Sequence, residues 1–432
     1  MITPMHLTDI APTRRAVYAW AFYDWANSAF ATTVMAGFFP LFFKQYWNSG
    51  VADTISTFRL GLANSVASLI VVLMAPLLGA IADHMDKRKG FLLVFSMLGV
   101  VMTGALYFVA EGQWQFAVVC YVLAVLGFSG GNLFYDALLT FVARPKDLDR
   151  VSAFGFALGY LGGGLLFAVN VMMVLNPDWF GLPDKGMAVR VSFLSVAVWW
   201  ALFTLPILFG VHESAAAEPV RVRIALRRGF GQLRQTLREI GKLPHTFLFL
   251  AAYWLYIDGV DTIVRMAVDY GLSLNFPSNS LITALLITQF VGFPAAIGFG
   301  RIGDRIGARN GILLALSVYV FVTAWGAFMS DVWEFYVLAA VIGLVQGGVQ
   351  SLSRSMFARL IPAGRSAEFF GFYNMLGKFA AVLGPILMGW VGVLSGSPRI
   401  GILSVLILFL LGAFLLTRVD IQRGMRDAAA RV

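Results

Sequence analysis

Gly79-Ala-Ile-Ala-Asp83-His-Met-Asp-Lys-Arg88-Lys89 returns 221 residues later as Gly300-Arg-Ile-Gly-Asp304-Arg305-Ile-Gly307-Ala-Arg309. In both copies an aspartate follows the glycine by four positions and a basic residue follows the aspartate by five. Each copy is a short charged interval between long apolar runs. Those runs are about 20 residues long, which is what an α-helix needs to cross about 30 Å of hydrocarbon. The composition agrees: 59% of the 432 residues are hydrophobic and only 13% charged, against about 45–50% and about 25% in soluble domains. The chain reads as an all-α polytopic membrane protein.

Working outward from the two loops, twelve spans are expected at about 16–43, 59–82, 90–110, 114–142, 151–175, 191–211, 246–270, 279–300, 310–330, 333–358, 367–394 and 400–417. Of the 32 Lys and Arg residues, 24 fall in the two tails and alternate loops, 5 fall in the opposite loops, and Arg265, Arg354 and Lys378 lie inside spans. Positive charge collects on the cytoplasmic side, so both termini are expected there. Arg14 and Arg15 precede a run too long for a signal peptide, which reads as a retained first span. The widest cytoplasmic interval, 212–245, separates a six-span half (1–211) from a second (246–432). Its Leu226, Phe230, Leu233, Leu237 and Ile240, interleaved with arginines, suit an amphipathic helix on the inner membrane surface. The net charge of +9 is thus a topology signal and not a nucleic-acid one. Cys120 is the single cysteine, and the four histidines sit in tails, loops or helix ends, so no cofactor or metal is expected.

The echoes continue in order. Gly130-Gly131…Arg144 matches Gly347-Gly348…Arg359, and Phe154-Gly155-Phe156 matches Phe370-Gly371-Phe372. Asp24-x-x-Asn27-Ser28 matches Asp258-x-x-Asp261-Thr262. A duplicated transporter fold leaves such a trace. The doubled loop in a six-plus-six chain resembles the major facilitator superfamily over its whole length. The copies depart from that pattern at His84 and Asp86 in the first and at Asn310 in the second. The stretch Phe22–Phe30, FYDWANSAF, narrows the likeness: it resembles the vacuolar amino-acid effluxers associated with autophagy and their bacterial relatives. The resemblance implies two six-helix pseudo-repeats that rock about a central cavity lined by spans one, four, seven and ten. It implies a solute such as an amino acid, moved outward. It also implies gating by the loops, with Asp83 and Arg88 latching toward span eleven and Asp304 and Arg309 toward span five.

Polar residues recur at helical spacing inside these apolar spans, and packing alone does not explain that. Asp24, Asn27 and Ser28 share a face of span one. Ser129, Asn132, Asp136 and Thr140 line one face of span four; Asp258, Asp261 and Arg265 line one of span seven. Gln346, Gln350 and Arg354 step along span ten, and Asn374 and Lys378 along span eleven. Asp24 and Asp136 each fall eight residues from the inner end of their span, roughly 12 Å deep at ~1.5 Å per residue. Acids from the first half would then face Arg354 and Lys378 from the second. Such a wall pair suits a zwitterion, a proton-binding site or an interdomain salt bridge, and the residues alone leave these open. The Asp261–Arg265 spacing equally suits self-neutralisation within one helix. The partners expected are a small polar solute, protons and the bilayer, around a monomer. A lipid or peptide-fragment mover on the same fold is the competing reading. A membrane-embedded transferase would need a catalytic His or Cys set that the chain lacks.

Overall fold

A computed structural model describes residues 13–213 and 238–430 apart from positions 52, 86, 239 and 275, and omits the side chains of some helical residues, Asp83 and Lys378 among them. The described residues are mostly helical, with no strand among them. The first half comprises α1 (Arg14–Trp47), α2 (Asp53–Met85), α3 (Arg88–Ala105), α4 (Trp114–Val142), α5 (Leu148–Leu175) and α6 (Lys185–Gly210). The second comprises α7 (Pro244–Ser273), α8 (Ser278–Ile306), α9 (Ala308–Phe328), α10 (Val332–Arg359), α11 (Ser366–Ser395) and α12 (Pro398–Thr417). A short α13 (Ile421–Ala429) follows. Among the described residues eleven helices are long and apolar enough to cross a membrane. The remaining expected span falls on α11, 30 residues long, whose described apolar stretch Leu383–Gly392 is shorter. The surface helix expected within 212–245 lies almost wholly outside the described residues.

The ends are set by local chemistry. The Thr13 hydroxyl accepts the Ala16 N–H at the start of α1, and Asp184 accepts from Met187 at the start of α6. Asp331 and Glu334 form a reciprocal capping box on α10. Gly307, at φ +83°, makes the tight turn between α8 and α9 that a side chain would strain. Past Ala29, α1 widens into π-helical turns over Phe30–Phe38 and again over Phe43–Trp47, on either side of Pro40. Proline has no N–H to give and its ring crowds a carbonyl one turn back, so the ladder re-registers around it.

Packing repeats between halves. In the first, α1 packs on α5 and α6, and α4 on α2 and α3; in the second, α7 packs on α11 and α12, and α10 on α8 and α9. The halves meet through α2 with α11 and, in the matching place, α5 with α8; α5 also meets α10 as α4 meets α11. Small residues permit the close crossings. A Cβ on Gly79 of α2 would strike the Ala367 carbonyl of α11, and Gly292 of α8 lies against the ring of Tyr160 on α5. Leu73, Val94, Phe209, Phe321, Phe328 and Phe414 point outward. That apolar exterior is what a chain solvated by lipid presents.

Candidate functional site

Three ionisable groups meet where the halves touch. Asp24 of α1 and Asp136 of α4 are each 8% exposed, and Arg354 of α10 is 2% exposed. The Arg354 Nη1 lies 3.1 Å from Asp136 Oδ1 and 3.9 Å from Asp24 Oδ2. The same guanidinium donates from Nε to Ser152 Oγ at 2.9 Å and from Nη2 to the Ser152 carbonyl at 2.8 Å. Ser152 Oγ in turn donates to the Ser351 carbonyl. Aromatic faces enclose the cation, with ring centroids at 4.3 Å (Phe156), 4.9 Å (Trp20) and 5.1 Å (Tyr135). Each nitrogen of the Arg354 guanidinium therefore donates to the opposite half.

The carboxylates are held as well. Asp24 accepts from Tyr135 OH and from Ser28 Oγ, both at 3.2 Å. Asp136 accepts from Asn374 Nδ2 of α11 at 3.1 Å. Beside them lies a cavity of about 190 Å³, lined by Asp24, Asn132, Asp136, Asp261, Gln350, Arg354 and Asn374 together with Tyr135, Phe156, Tyr253 and Tyr373. Three carboxylates and one guanidinium thus border a small aromatic-walled chamber.

The other candidate residues divide around this chamber. Asn132 and Gln350 line it. Asn27 is buried behind it and donates to Asn132, tying α1 to α4. Asp261 lines it, with Arg265 at 3.8 Å on the next turn of its own helix. Asp258 does not reach it. That carboxylate is fully buried and takes the Gly384 N–H of α11 on both oxygens, at 2.9 and 3.0 Å. The Lys378 side chain lies outside the described residues. Sequence reasoning passed over Ser152 and Phe156, which hold Arg354. Their one signal was the Phe154-Gly155-Phe156 echo, to which no role attached.

At the loop end of the helices a second layer of contacts joins the halves. Asp304 accepts two N–H groups from Arg150 of α5, at 2.8 and 3.1 Å. Buried Arg88 donates to the Gly364 carbonyl, between α10 and α11, at 3.3 Å. Arg309 turns elsewhere than to α5: its Nη1 donates to the Val419 carbonyl of its own half at 3.0 Å. The Asp83 side chain is outside the described residues. The most buried ion pair of this layer carries Asp149, 4% exposed, which accepts from Arg359 Nη1 at 2.6 Å and from Ser355 Oγ at 2.5 Å. Asp149 and Arg359 sit at span ends among many charges, where topology alone accounts for a charged residue. Among the described residues no group of three or more His, Cys, Asp or Glu is placed to hold a metal ion.

Comparison with known proteins bears on this geometry. A family model described as "Vacuole effluxer Atg22 like" matches residues 54–429. The Bacillus subtilis "uncharacterized MFS-type transporter YxiO" is 38% identical over 419 residues, covering 95% of this chain and 97% of its own length. Autophagy-related protein 22 of Coccidioides immitis is 23% identical over 545 residues, covering 97% and 89%. The human organic anion transporter MFSD10 superposes with a TM-score of 0.74 at 17% identity, over 93% of this chain and 99% of that one. The proton:xylose symporter XylE does so at 0.68 and 12% identity, over 94% of each. These two structures share the major facilitator fold with the chain. The two halves joined around a buried charged chamber are those of a major facilitator transporter, and the chain belongs to the vacuole effluxer Atg22-like family.

Proposed function

We propose that this protein exports a small zwitterionic solute, an amino acid or a close relative, by alternating access coupled to a proton. The observation that carries this is Arg354, supplied by one half and held by Asp24 and Asp136 of the other beside a cavity of about 190 Å³. Charges at this depth are costly and persist when they serve a pathway. A solute carboxylate can take the guanidinium from Asp136, and a solute ammonium can take the carboxylates from Arg354. Binding then replaces contacts between the halves with contacts through the solute, at little cost in desolvation. Two carboxylates share one guanidinium, so one of them holds a proton while the site is empty. An incoming solute ammonium displaces that proton, which makes the coupling an exchange of solute for proton. The Arg150–Asp304 and Arg359–Asp149 pairs close the loop end in the state described. The Lys and Arg distribution supports that end, and both termini, being cytoplasmic, in the plasma or inner membrane of a bacterial cell. The family's description as effluxers supports the outward direction.

The competing mover of lipids or peptide fragments fits less well. Drug-sized ligands occupy pockets of about 300–1,000 Å³, and this chamber is smaller and polar on one wall. Everted vesicles loaded with the protein and offered a labelled amino-acid panel, with and without a pH gradient, test the proposal. Uptake of at least one member, enhanced by an inside-acid gradient, is expected. Failure of every member in vesicles that hold folded protein would sink the amino-acid reading.

A further inference from the structure

A second cavity, of about 80 Å³, lies within the C-terminal half and apart from the charged chamber. It is bounded by α7, α8, α9, α10 and Ile402 of α12. Along α7 and α10 it continues just past the chamber: Ile263 and Gln346 belong to it, Ile257 and Gln350 to the chamber. Tyr270, Leu281, Met329 and Phe335 put it at the end of the bundle opposite the Asp304 loop. In the first half, rings pack between the first, third, fourth and sixth helices. Trp200 packs there against Phe30 and Phe128, with centroids at 5.4 and 6.3 Å, and covers Gly99.

Its wall is almost entirely hydrocarbon, with two exceptions that have no partner. Thr323 is 1% exposed, and its Oγ1 makes no hydrogen bond among the described residues; the same holds for the buried Oε1 of Gln346. Thr288 also lines the cavity, but its hydroxyl already meets the Ala284 and Ala339 carbonyls. An unmet buried polar atom costs on the order of 1–3 kcal/mol, so two in one cavity call for an occupant. Water satisfies the site poorly. Each water takes about 10–15 Å³ of such a volume and wants two to four polar partners, so several would fit and most would face hydrocarbon.

We infer that this cavity binds a small uncharged amphiphile of the short-chain alcohol class. Its hydroxyl donates to Gln346 Oε1 and accepts from the Thr323 hydroxyl, and its alkyl part lies on Leu338 and Phe335. The site does not depend on which solute the charged chamber carries, and its test needs no transport. Purified protein in detergent is titrated with 3,3,3-trifluoropropan-1-ol and followed by 19F NMR. Saturable binding is expected. Thr323→Ser should keep it, and Thr323→Val should weaken it roughly fivefold, about one hydrogen bond. Gly326→Leu should abolish it, because a Cβ at Gly326 meets nothing nearer than Leu338 Cδ1 at 3.8 Å, leaving the side chain to grow into the cavity. If Gly326→Leu does not fold, the Thr323 pair decides alone. No saturable binding, meaning an occupant of water only, overturns the proposal. So does binding that is equal in wild type and Thr323→Val, which would be partition into detergent.

Discussion

Asp24 and Asp258 occupy the same place in the two halves and meet different fates. Each sits on the first helix of its half, each accepts from a hydroxyl one turn on (Ser28 at 3.2 Å, Thr262 at 3.5 Å), and each faces a glycine of the fifth helix of its half. Behind Asp24 that glycine is Gly159, on an uninterrupted helix. Behind Asp258 it is Gly384, one residue before Pro385. A proline inside a helix disturbs the hydrogen-bond ladder and bends it, and the Gly384 N–H is given to Asp258. Asp258 is satisfied within its own half. Asp24 keeps an oxygen for Tyr135 and Arg354 and so becomes part of the contact between halves. Which copy of a duplicated acid joins the contact between the halves is therefore set by the helix behind it, not by the motif that carries it.

Substitutions that treat the two acids alike give the largest contrast. Arg354→Gln should lower transport at least ~100-fold, because it leaves Asp24 and Asp136 buried without their cation, and breaking such a pair costs about 3–5 kcal/mol. Asp24→Asn should lower it about tenfold with little change in melting temperature. Asp258→Asn should leave transport within about threefold and lower the melting temperature by a few degrees, since a hydrogen bond to a charged group is worth about 1.5–3 kcal/mol. Transport and melting of the purified variants measure both. The comparison breaks if Asp258→Asn stops transport while melting like wild type.

Pro385→Ala sharpens the cause. With an ordinary helix restored, the Gly384 N–H returns to the ladder and Asp258 loses its partner. The melting cost of Asp258→Asn should then shrink by about 1 kcal/mol in the Pro385→Ala background. A cost that is the same in both backgrounds would mean that the proline does not supply the N–H.

The doubled loop, the apolar blocks and the polar stripes made most of this architecture readable, because membrane insertion forces each span to declare itself in composition. The shared level of Asp24 and Asp136 was readable too, since helical rise sets depth, but not which of Arg354 and Lys378 from the other half would meet them. The capture of Asp258 was not, because its partner is a backbone N–H 126 residues away whose availability depends on one proline. Nor was the weight of Asp149. At a span end, a buried ion pair and a topology charge are the same letters. This distinction ranks the two contacts at the loop end. Asp149→Asn removes a buried partner of Arg359, whereas Asp304→Asn removes a pair whose Arg150 is 70% exposed and worth ~0.2–1 kcal/mol. Labelling from the loop side of a cysteine introduced in the chamber wall (Gly377→Cys, in a Cys120→Ser background) should rise several-fold for Asp149→Asn and by less than twofold for Asp304→Asn.

The smallest contrast lies where each half ends. In the first, Lys89 Nζ caps α6 through the Leu208 and Val211 carbonyls, and its backbone N–H donates to Glu213 at 3.1 Å. In the second, Arg309 caps the exit of α12 at Val419, and Asp420 accepts the Arg423 N–H to open α13. The two acids shift in opposite directions. Burial raises the Glu213 carboxyl above the usual glutamate range, against the pull of the Lys89 N–H and the Arg88 charge. The Arg423 N–H holds the Asp420 carboxyl below the usual aspartate range. For Glu213 the folded state binds its proton more tightly than the unfolded state, so its contribution is full below the ordinary glutamate pKa and is lost as pH rises through the raised value. For Asp420 the contribution is present above the ordinary aspartate pKa and is lost as pH falls through the lowered value. Melting profiles from pH 3 to 7 should therefore separate the variants. Glu213→Gln removes a loss of stability on the way up in pH, and Asp420→Asn removes a loss on the way down. Parallel profiles for the two variants would mean that the acids at the two exits are held alike, and the contrast between the halves would then stop at the chamber.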